Sequence, residues 1–365
     1  MTSSPHQSRA RLEAHWQTWA RHKGLPARLL WPLAQLLAAI SMLRRTGYTV
    51  GWLKTKRLPV PVIVVGNVVA GGAGKTPTVI ALVRHLQHQG WRPGVVSRGY
   101  GRLGHTLVQV GSASAPSEVG DEPLLIHQAT GAPVCVARRR ANAARALLAQ
   151  HPDVDVILCD DGLQHLALGR DLSIVVFDER GIGNGWPLPA GLLREPWPPA
   201  KGSRYQPDLL LVQRREGGPA IELPNSGIPC FDALRRLADE AYNLAGERYP
   251  LLALRDQTLT ALAGIAHPSV FFSMLRARGL TMAQEVSLPD HADTAAYQHV
   301  LTSSSGPLIC TEKDAVKLTA LLAGQAAALR QRIWVVPLEL RPEPGFYTAV
   351  DAALARWGTA RKSVL

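Results

Sequence analysis

A glycine-rich segment that ends in lysine and threonine carries the clearest chemical signal. Residues 71–76 read Gly-Gly-Ala-Gly-Lys-Thr. Glycines let backbone N–H groups turn inward around phosphates, and at the start of a helix these donors face an anion. Lys75 would reach the β- and γ-phosphates, and the Thr76 hydroxyl would bind Mg²⁺. The segment predicts a phosphate-binding loop for ATP or GTP. Its residues are Gly71, Gly72, Ala73, Gly74, Lys75 and Thr76.

The loop departs from the strict phosphate-loop pattern, which places a glycine six positions before the lysine. Val69 stands at that position. The context still supports the assignment, because the β-branched run 60–65 predicts a buried strand before the loop. Residues 78–89 carry apolar side chains at helical spacing after it. A glycine-rich turn without function does not explain this strand–loop–helix order.

Carboxylates follow other predicted strands. Asp160 and Asp161 end the apolar run 154–159, where the acidic residue associated with Mg²⁺ usually lies beside a phosphate loop. The alternative is that this pair caps a helix or a turn. Asp121 and Glu122 are two further carboxylates, and one could act as the base of a kinase. By themselves they would more often be solvated.

An arginine follows the predicted strand that begins at residue 93. Arg98 belongs to the segment Ser-Arg-Gly-Tyr-Gly-Arg at 97–102 and is expected at the same sheet edge as the phosphate loop. It could contact a phosphate or be an ordinary surface side chain.

The order of elements predicts an α/β fold with a parallel sheet and right-handed crossovers. Further strands are predicted at 134–136, 154–159, 172–177 and 209–212, the last of them ending the first sheet, with a helix at 138–149. Periodicity weakens from 217 to 229, and the strands and helices that follow predict a second, smaller α/β domain. We therefore expect a nucleotide-binding α/β domain over 1–225, which includes the amino-terminal helix, and a smaller α/β domain over 226–365. The second domain has predicted strands at 259–265, 307–310 and 333–336 and predicted helices at 268–278 and 315–329.

The composition describes a globular, basic protein. Of its 365 residues, 46% are hydrophobic and 19% are charged, and the formal net charge is +12. Such a charge favours nucleic acid, an anionic membrane surface or a phosphorylated substrate. The four cysteines are widely spaced, which indicates single thiols rather than a disulfide framework or a zinc site. The polar first 20 residues lack the apolar core of a signal peptide.

One apolar stretch complicates the expectation of a plain soluble enzyme. Residues 29–43 contain only Gln35 and Ser41 as polar side chains. Fifteen residues are too short for a bilayer, which takes roughly 20. Basic residues and tryptophans flank the stretch, a pattern typical of a helix that lies in the membrane interface. The alternative is a helix buried in the core.

The motifs, taken in order, resemble the tetraacyldisaccharide 4'-kinase (lipid A 4'-kinase) family of Gram-negative bacteria over about residues 25–340. Any one motif is weak, but the ordered set is specific. The set comprises Gly66-Asn67, GGAGKTP, SRGYGR, VGDEP, DDGLQH, Arg170-Asp171, Asn184-Gly185, LPAGLLREP (188–196), AGIAHPSVFF (263–272), PDH (289–291) and TEKDAVK (311–317).

The resemblance implies ATP- and Mg²⁺-dependent phosphorylation of the 4'-hydroxyl of tetraacyldisaccharide 1-phosphate, a step of lipid A biosynthesis. It implies two α/β/α domains, the first a kinase-like α/β/α sandwich that carries the phosphate loop and the second smaller, and an amino-terminal helix that meets the membrane. The expected partners are the acylated disaccharide lipid and the inner-membrane surface, with no nucleic acid. The expected location is the cytoplasm, peripherally bound to the inner membrane.

The resemblance also assigns roles to individual residues. It implies that Asp121 is the catalytic base and that His291 orients it, with Lys75 as the third catalytic residue. The acids Glu122, Asp160 and Asp161 resemble those that surround Mg²⁺ with Thr76. Arg98, Gln164 and Arg194 resemble the family's residues that lie near the substrate or the phosphates. Three departures put loop details in doubt. They are Ala73 in place of a hydroxyl residue, Leu288 in place of an aromatic one, and Ala292 in place of a second ring.

Three other functions compete with the kinase reading. A membrane-associated ATPase switch would carry a lysine five positions before Lys75, where Ala70 stands. A GTPase would need an Asn-Lys-x-Asp or Thr-Lys-x-Asp motif, and the spacing of Thr311-Glu312-Lys313-Asp314 is wrong for it. A nucleic-acid binder would use the positive charge, but the sequence has no aromatic-basic recognition motif.

Overall fold

The computed structural model describes Trp16 and residues 20–200, 202–290 and 292–362. His291 and almost all of the polar amino-terminal stretch lie outside the described residues. The strands are β1 Val62–Gly66, β2 Pro93–Ser97, β3 Val108–Val110, β4 Val134–Val136, β5 Val156–Asp160, β6 Leu172–Phe177, β7 Leu209–Arg215, β8 Cys230–Leu237, β9 Glu240–Asn243, β10 Arg248–Pro250, β11 Leu259–Ala263, β12 Met282–Ser287, β13 Leu308–Thr311, β14 Ile333–Val336 and β15 Leu338–Pro342.

The helices alternate with these strands through most of the chain, as the predicted α/β class requires. They are α1 Leu25–Thr49, α2 Lys75–His88, α3 Pro116–Val119, α4 Asp121–Thr130, α5 Arg140–Gln150, α6 Pro268–Ala277, α7 Thr294–Ser303, α8 Glu312–Leu321, α9 Ala327–Gln331 and α10 Pro344–Lys362, with a 3₁₀ turn at Leu251–Leu254.

The larger sheet has nine strands in the order β15-β8-β7-β6-β1-β5-β2-β4-β3. All neighbours from β8 to β4 are parallel, and only the two edge strands β15 and β3 run antiparallel. Strands β5 and β2 lie on one side of β1, and β6 lies on the other side. The strand order therefore reverses at β1, which makes it the topological switch point of the sheet. Ligands bind at the carboxyl ends of the strands there.

Helices cover both faces of this sheet. Ile63 and Val65 of β1 pack in a cluster with side chains of α2, α4 and α10, whereas Val62 and Val64 pack with α5. Successive side chains of a strand point to opposite faces, so β1, whose residues are all buried, contributes to both clusters. The predicted α/β/α layering is therefore present.

The second sheet is smaller and mixed, with the order β10-β9-β14-β13-β11-β12. Strands β11 to β14 are parallel, and β9 and β10 add antiparallel hydrogen bonding at one edge. Helix α6 covers one face, and α7 with α8 covers the other.

Two predicted features of the elements are wrong. The strand at β7 does not end the first sheet, because β8 and β15 extend it from beyond residue 225. The predicted helix 315–329 is two helices, since Gly324 has a φ of +78° and interrupts it between α8 and α9. The boundary at 225/226 stays a prediction.

The apolar stretch forms a longer helix than its composition suggests. Helix α1 has 25 residues and begins with Pro26 in its first turn, where a proline is tolerated. Its length and composition would allow it to cross a membrane. Only 11% of its most apolar segment is buried within the protein. The alternative of a buried core helix is therefore wrong.

Candidate active site

The phosphate loop joins β1 at the centre of the sheet to α2. Gly74 lies just before the helix with a φ of +76°, a left-handed conformation that favours glycine. Helix α2 then begins at Lys75. The buried amide of Gln213 on β7 donates to the Gly74 carbonyl at 2.7 Å and to the Thr78 hydroxyl at 2.8 Å. These contacts fix the loop where the first N–H groups of the helix are exposed to an anion.

Two side chains hold the loop's carbonyl groups. The buried Asn67 amide donates to the carbonyls of Val69 at 2.5 Å and Gly71 at 3.1 Å. Arg180 donates to the carbonyls of Ala70 at 2.8 Å and Gly72 at 2.9 Å. With these carbonyls occupied, the backbone N–H groups remain available to a phosphate. Val69, the departure from the strict pattern, is buried and accepts one of these bonds.

The sequence reasoning missed both of these supports. Asp178 directly follows β6, the strand next to β1, and both of its oxygens accept hydrogen bonds from Arg180 at 2.8–3.0 Å. An aspartate at the carboxyl end of a strand that neighbours the loop strand is a signal that could have identified the pair. Asn67 was part of a recognised motif without an assigned role.

Lys75 lies between the loop and the acids of β5. Its ammonium nitrogen is 3.4 Å from Asn67 Oδ1 and 3.6 Å from Asp161 Oδ1. Arg194 donates to the same oxygen of Asp161 at 3.2 Å. The structure thus brings together three predicted site residues, Lys75, Asp161 and Arg194.

The two adjacent aspartates have opposite environments. Burial, then the negative charges of Glu122 and Asp161, raise the pKa of Asp160 to about 7. Burial alone would raise the pKa of Asp161, but the charges of Lys75, Arg194 and Arg140 lower it. Asp161 also has a φ of +47°, which is uncommon outside glycine and frequent at functional sites.

The donor set around Asp160 suits a hard cation. Ser97 donates to one of its oxygens at 3.3 Å, while the other is buried without a hydrogen-bond partner among the described residues. No group of three or more His, Cys, Asp or Glu side chains in the described ranges forms a ready-made metal cage. Mg²⁺ at nucleotide sites does not need one, because it takes one or two carboxylates with phosphates and water.

A second set of acids begins α4 and meets lysines of α8. Asp121 is buried, and its carboxylate lies 3.2 Å from the Lys317 ammonium. Glu122 is 3.6 Å from Lys313, which also contacts Asp290 at 2.7 Å. Burial alone would lower the pKa of Lys313, but these carboxylates raise it. Asp121 and Glu122 come from a helix of the larger sheet, whereas both lysines and Asp290 come from elements of the smaller sheet.

The lysines were present in a recognised motif but had no assigned role. Lys317 also donates to the carbonyl of Ala292 at 2.9 Å, so it links Asp121 to the segment next to His291. The geometry between Asp121 and His291 lies outside the described residues.

Gln164 and Arg98 occupy different places around the site. Gln164 donates to the Asn67 carbonyl at 3.2 Å and to Glu195 at 3.0 Å, and Glu195 pairs with Arg45 of α1. Arg98 is exposed and forms no hydrogen bond with its side chain among the described residues. It contributes instead to the positive field at His165. Burial, then the charges of Arg140, Arg44, Arg170 and Arg98, lower the pKa of His165 to about 4.

An open cleft between the two sheets leads to the phosphate loop. On one side it exposes Lys75, Thr76 and Glu122. Its remaining wall is mostly apolar and can enclose a base or sugar. This wall includes Pro77, Ile80, Leu125, Leu237, Val270, Phe271, Met274 and Leu338. Asp121, Asp160 and Asp161 are not among the residues that line the cleft.

The segment that superficially resembles a GTPase motif is structural in part. Asp314 is fully buried and accepts hydrogen bonds from the Gly264 amide at 2.8 Å and the Tyr297 hydroxyl at 2.7 Å. Its other oxygen accepts from Thr311 at 2.6 Å. These three donors occupy the carboxylate, so Asp314 holds the fold and is not available to read a base.

Comparisons with known proteins match the chain to a family and to a solved structure. The family model described as tetraacyldisaccharide-1-P 4'-kinase matches residues 26–355. A tetraacyldisaccharide 4'-kinase of an Acidovorax species is 52% identical over 94% of this chain and 94% of its own. One from a Polaromonas species is 53% identical over 93% and 95%. The crystal structure of LpxK from Aquifex aeolicus in complex with ATP aligns with a TM-score of 0.74 at 28% identity, covering 90% of this chain and all of the other.

Proposed function

This chain belongs to the tetraacyldisaccharide-1-P 4'-kinase family and catalyses ATP-dependent 4'-phosphorylation in lipid A biosynthesis, and we propose that Asp121 is its catalytic base. The observation that carries this assignment is a buried carboxylate at the start of α4, 3.2 Å from Lys317 and next in the chain to Glu122, which lines the cleft with the phosphate loop. The function matches the expectation from the sequence, and the residue roles below are proposals.

The proposed reaction is a direct phosphoryl transfer from ATP to the sugar. The amides of residues 71–76 and the Lys75 ammonium hold the β- and γ-phosphates. Asp121 accepts the proton of the sugar 4'-hydroxyl, and the 4'-oxygen forms a bond to the γ-phosphorus. The bond from that phosphorus to the β–γ bridging oxygen breaks, and ADP leaves. Lys75 stabilises the charge on the transferring group, so the protein acts mainly by positioning and electrostatics.

We propose that Thr76, Asp160, Asp161 and Glu122 hold Mg²⁺ beside the phosphates. The ion would neutralise charge that develops on the β- and γ-phosphate oxygens. Asp160 provides the best support, since its Oδ1 atom is buried without a hydrogen-bond donor among the described residues. A buried carboxylate oxygen of this kind is costly unless a cation or a donor meets it.

The metal role predicts a changed Mg²⁺ requirement in the Asp160→Asn variant. An assay with ATP and tetraacyldisaccharide 1-phosphate in detergent should yield the 4'-phosphorylated product only when Mg²⁺ is present. Because an amide is a weaker ligand than a carboxylate, the variant should need roughly tenfold or more Mg²⁺ for half-maximal rate. The exposed Asp153→Asn serves as the control. An unchanged Mg²⁺ titration in a folded Asp160→Asn protein would remove Asp160 from the metal site.

We propose that the arginines around His165 receive the anionic end of the acceptor. Arg44 of α1, Arg98 and Arg140 act together on this histidine. Arg194 contacts Asp161, and Gln164 contacts the Asn67 carbonyl beside the loop, so both are placed near the phosphates. A substrate that carries a phosphate and acyl chains would find a positive field next to an apolar helix.

Helix α1 is proposed to bind the inner-membrane surface from the cytoplasmic side. Its large apolar side chains are exposed, which is unusual for a surface that meets only water. They include Leu25, Leu29, Trp31, Leu33, Leu36, Leu37, Ile40, Met42 and Leu43. Basic residues at both ends, among them Arg28 and Arg44, suit anionic headgroups.

Membrane binding predicts that charges placed on α1 release the protein from vesicles. Leu36 and Ile40 are 58% and 53% exposed, one helical turn apart. The double change Leu36→Glu/Ile40→Glu should weaken binding to vesicles of phosphatidylethanolamine and phosphatidylglycerol by at least about tenfold, because each apolar side chain contributes roughly 1.5–3 kcal/mol when buried. Sedimentation with vesicles measures this loss.

Two exposed leucines outside α1 provide the control. Leu103 is 79% exposed and Leu252 is 46% exposed, and neither belongs to α1. Leu103→Glu/Leu252→Glu should sediment with vesicles as the unchanged protein does. If both double variants lose binding equally, α1 is not the membrane contact.

A further inference from the structure

The motif AGIAHPSVFF at 263–272 has no role in the mechanism above, although it lies against the phosphate loop. A Cβ atom added to Gly72 would come within 3.4 Å of the Ala266 side chain. His267 precedes α6 and lines the cleft together with Gly72, Ala73 and Gly74. The smaller sheet therefore presents this segment to the loop from across the cleft.

His267 has a polar atom that the protein leaves unused. Its Nε2 atom is buried and has no hydrogen-bond partner among the described residues. Burial, then the charge of Arg180, lower its pKa, so the ring is neutral near pH 7 and carries one N–H donor. Buried polar atoms are usually satisfied, so an orphaned one beside a ligand cleft indicates a missing partner.

Arg235 on β8 lines the same cleft and also has a buried polar atom without a hydrogen-bond partner among the described residues. Its Nε atom is buried without a partner, and no hydrogen bond from its guanidinium group is present within the described ranges. Burial lowers its pKa, while the nearby charges of Asp178 and Glu179 raise it. Arg235 as a whole is only half-buried, so its guanidinium group can meet an anion that enters the cleft.

The neighbouring acids are already engaged by other arginines. Asp178 is held through both oxygens by Arg180, and Glu179 is held through both oxygens by Arg215. Two carboxylates thus face three guanidinium groups, which leaves one positive charge in excess. Arg235 is the member of this set that lines the cleft without a partner of its own.

We propose that Arg235 and His267 bind the β- and γ-phosphates of the nucleotide beside the phosphate loop, in the cleft that all of them line. The loop supplies backbone donors, Arg235 supplies side-chain donors from β8 of the same sheet, and His267 supplies a donor from the smaller sheet across the cleft. A polyphosphate is the anion that fits, because the groups line the wall next to Gly72–Gly74. This inference rests on the proposed nucleotide site.

Calorimetric titration with ADP and AMP tests the proposal, because only ADP has a phosphate beyond the α-position. Arg235→Gln should weaken ADP binding about tenfold or more, as expected for a lost charge-assisted contact, and AMP binding less than twofold. His267→Ala should weaken ADP binding by a smaller factor with the same selectivity. Arg235→Lys, which keeps the charge without the fork, should fall between Arg235→Gln and the unchanged protein.

Two further variants make the outcome decisive. Arg248→Gln, an exposed arginine on β10, should bind both nucleotides as the unchanged protein does. Lys75→Ala should lose ADP binding if the nucleotide site is correctly placed. If Lys75→Ala loses ADP and folded Arg235→Gln and Arg235→Lys do not, this inference alone is wrong. If Lys75→Ala also binds ADP normally, the nucleotide site itself is wrong. Should Arg235→Gln not fold, Arg235→Lys and His267→Ala decide between these outcomes.

Discussion

Asp121→Asn is expected to lower kcat for 4'-phosphorylation by about 10²–10⁴-fold while ADP binding stays near that of the unchanged protein. Asparagine keeps the size of the side chain but cannot accept the proton of the attacking hydroxyl. Asp121 is 5% exposed and is not part of the phosphate loop, so nucleotide affinity does not depend on it directly. Steady-state rates with saturating ATP and acceptor, together with ADP titration, measure the two effects separately.

Two controls distinguish a base from a structural carboxylate. Asp351→Asn removes a half-exposed ion pair with His85 of α2 and should leave kcat unchanged. A pH profile of kcat/KM should show an acidic limb in the unchanged protein that is absent in Asp121→Asn, because that limb reports the base. A rate within a few-fold of the unchanged protein would show that another group takes the proton.

Local features of the fold could be predicted from the sequence. Strand β6 is as predicted, because an apolar β-branched run can only be buried on both faces of a sheet. The phosphate loop could be identified despite Val69, since the order of strand, glycines and helix restricts the backbone more than any single residue does. The order of parallel strands then places Asp160 and Asp161 at the same edge.

The return of the chain to the first sheet could not be predicted. Strand β15 pairs with β8, which lies about 100 positions earlier, and nothing in local periodicity encodes such pairing. Strand β8 also has an irregular burial pattern, with charged residues such as Arg235 on it. Neither strand β8 nor the role of Arg235 in lining the cleft could therefore be predicted from the sequence.

The lysines that meet the acidic residues show the same limit. Lys317 and Asp121 are 196 positions apart, and only the packing of α8 on α4 brings them within 3.2 Å. A motif can indicate that Lys317 matters, but the identity of its partner is a tertiary property. The contacts of Arg180 with the phosphate loop are a similar case, because the carbonyls of Ala70 and Gly72 that accept its hydrogen bonds carry no sequence signal.

Gly74→Ala is expected to abolish nucleotide binding at concentrations that saturate the unchanged protein and to lower stability strongly. A Cβ atom there would lie 1.9 Å from Gln213 Oε1, and the φ of +76° costs about 1–2 kcal/mol for a residue other than glycine. Gln213 is fully buried, so it cannot move away without losing its bonds to Gly74 and Thr78. Each buried group left unsatisfied costs about 1–3 kcal/mol.

A glycine at the other end of the same helix isolates the effect of crowding. Gly90 follows α2 with a φ of +85°, and a Cβ atom there would meet nothing within 4 Å. Gly90→Ala should therefore lose only the backbone contribution, about 1–2 kcal/mol, and should keep full ATP affinity. Urea unfolding and ATP titration of both variants measure the difference. Equal losses of stability and affinity would mean that Gly74 is needed for its backbone conformation alone and that contact with Gln213 does not shape the phosphate loop.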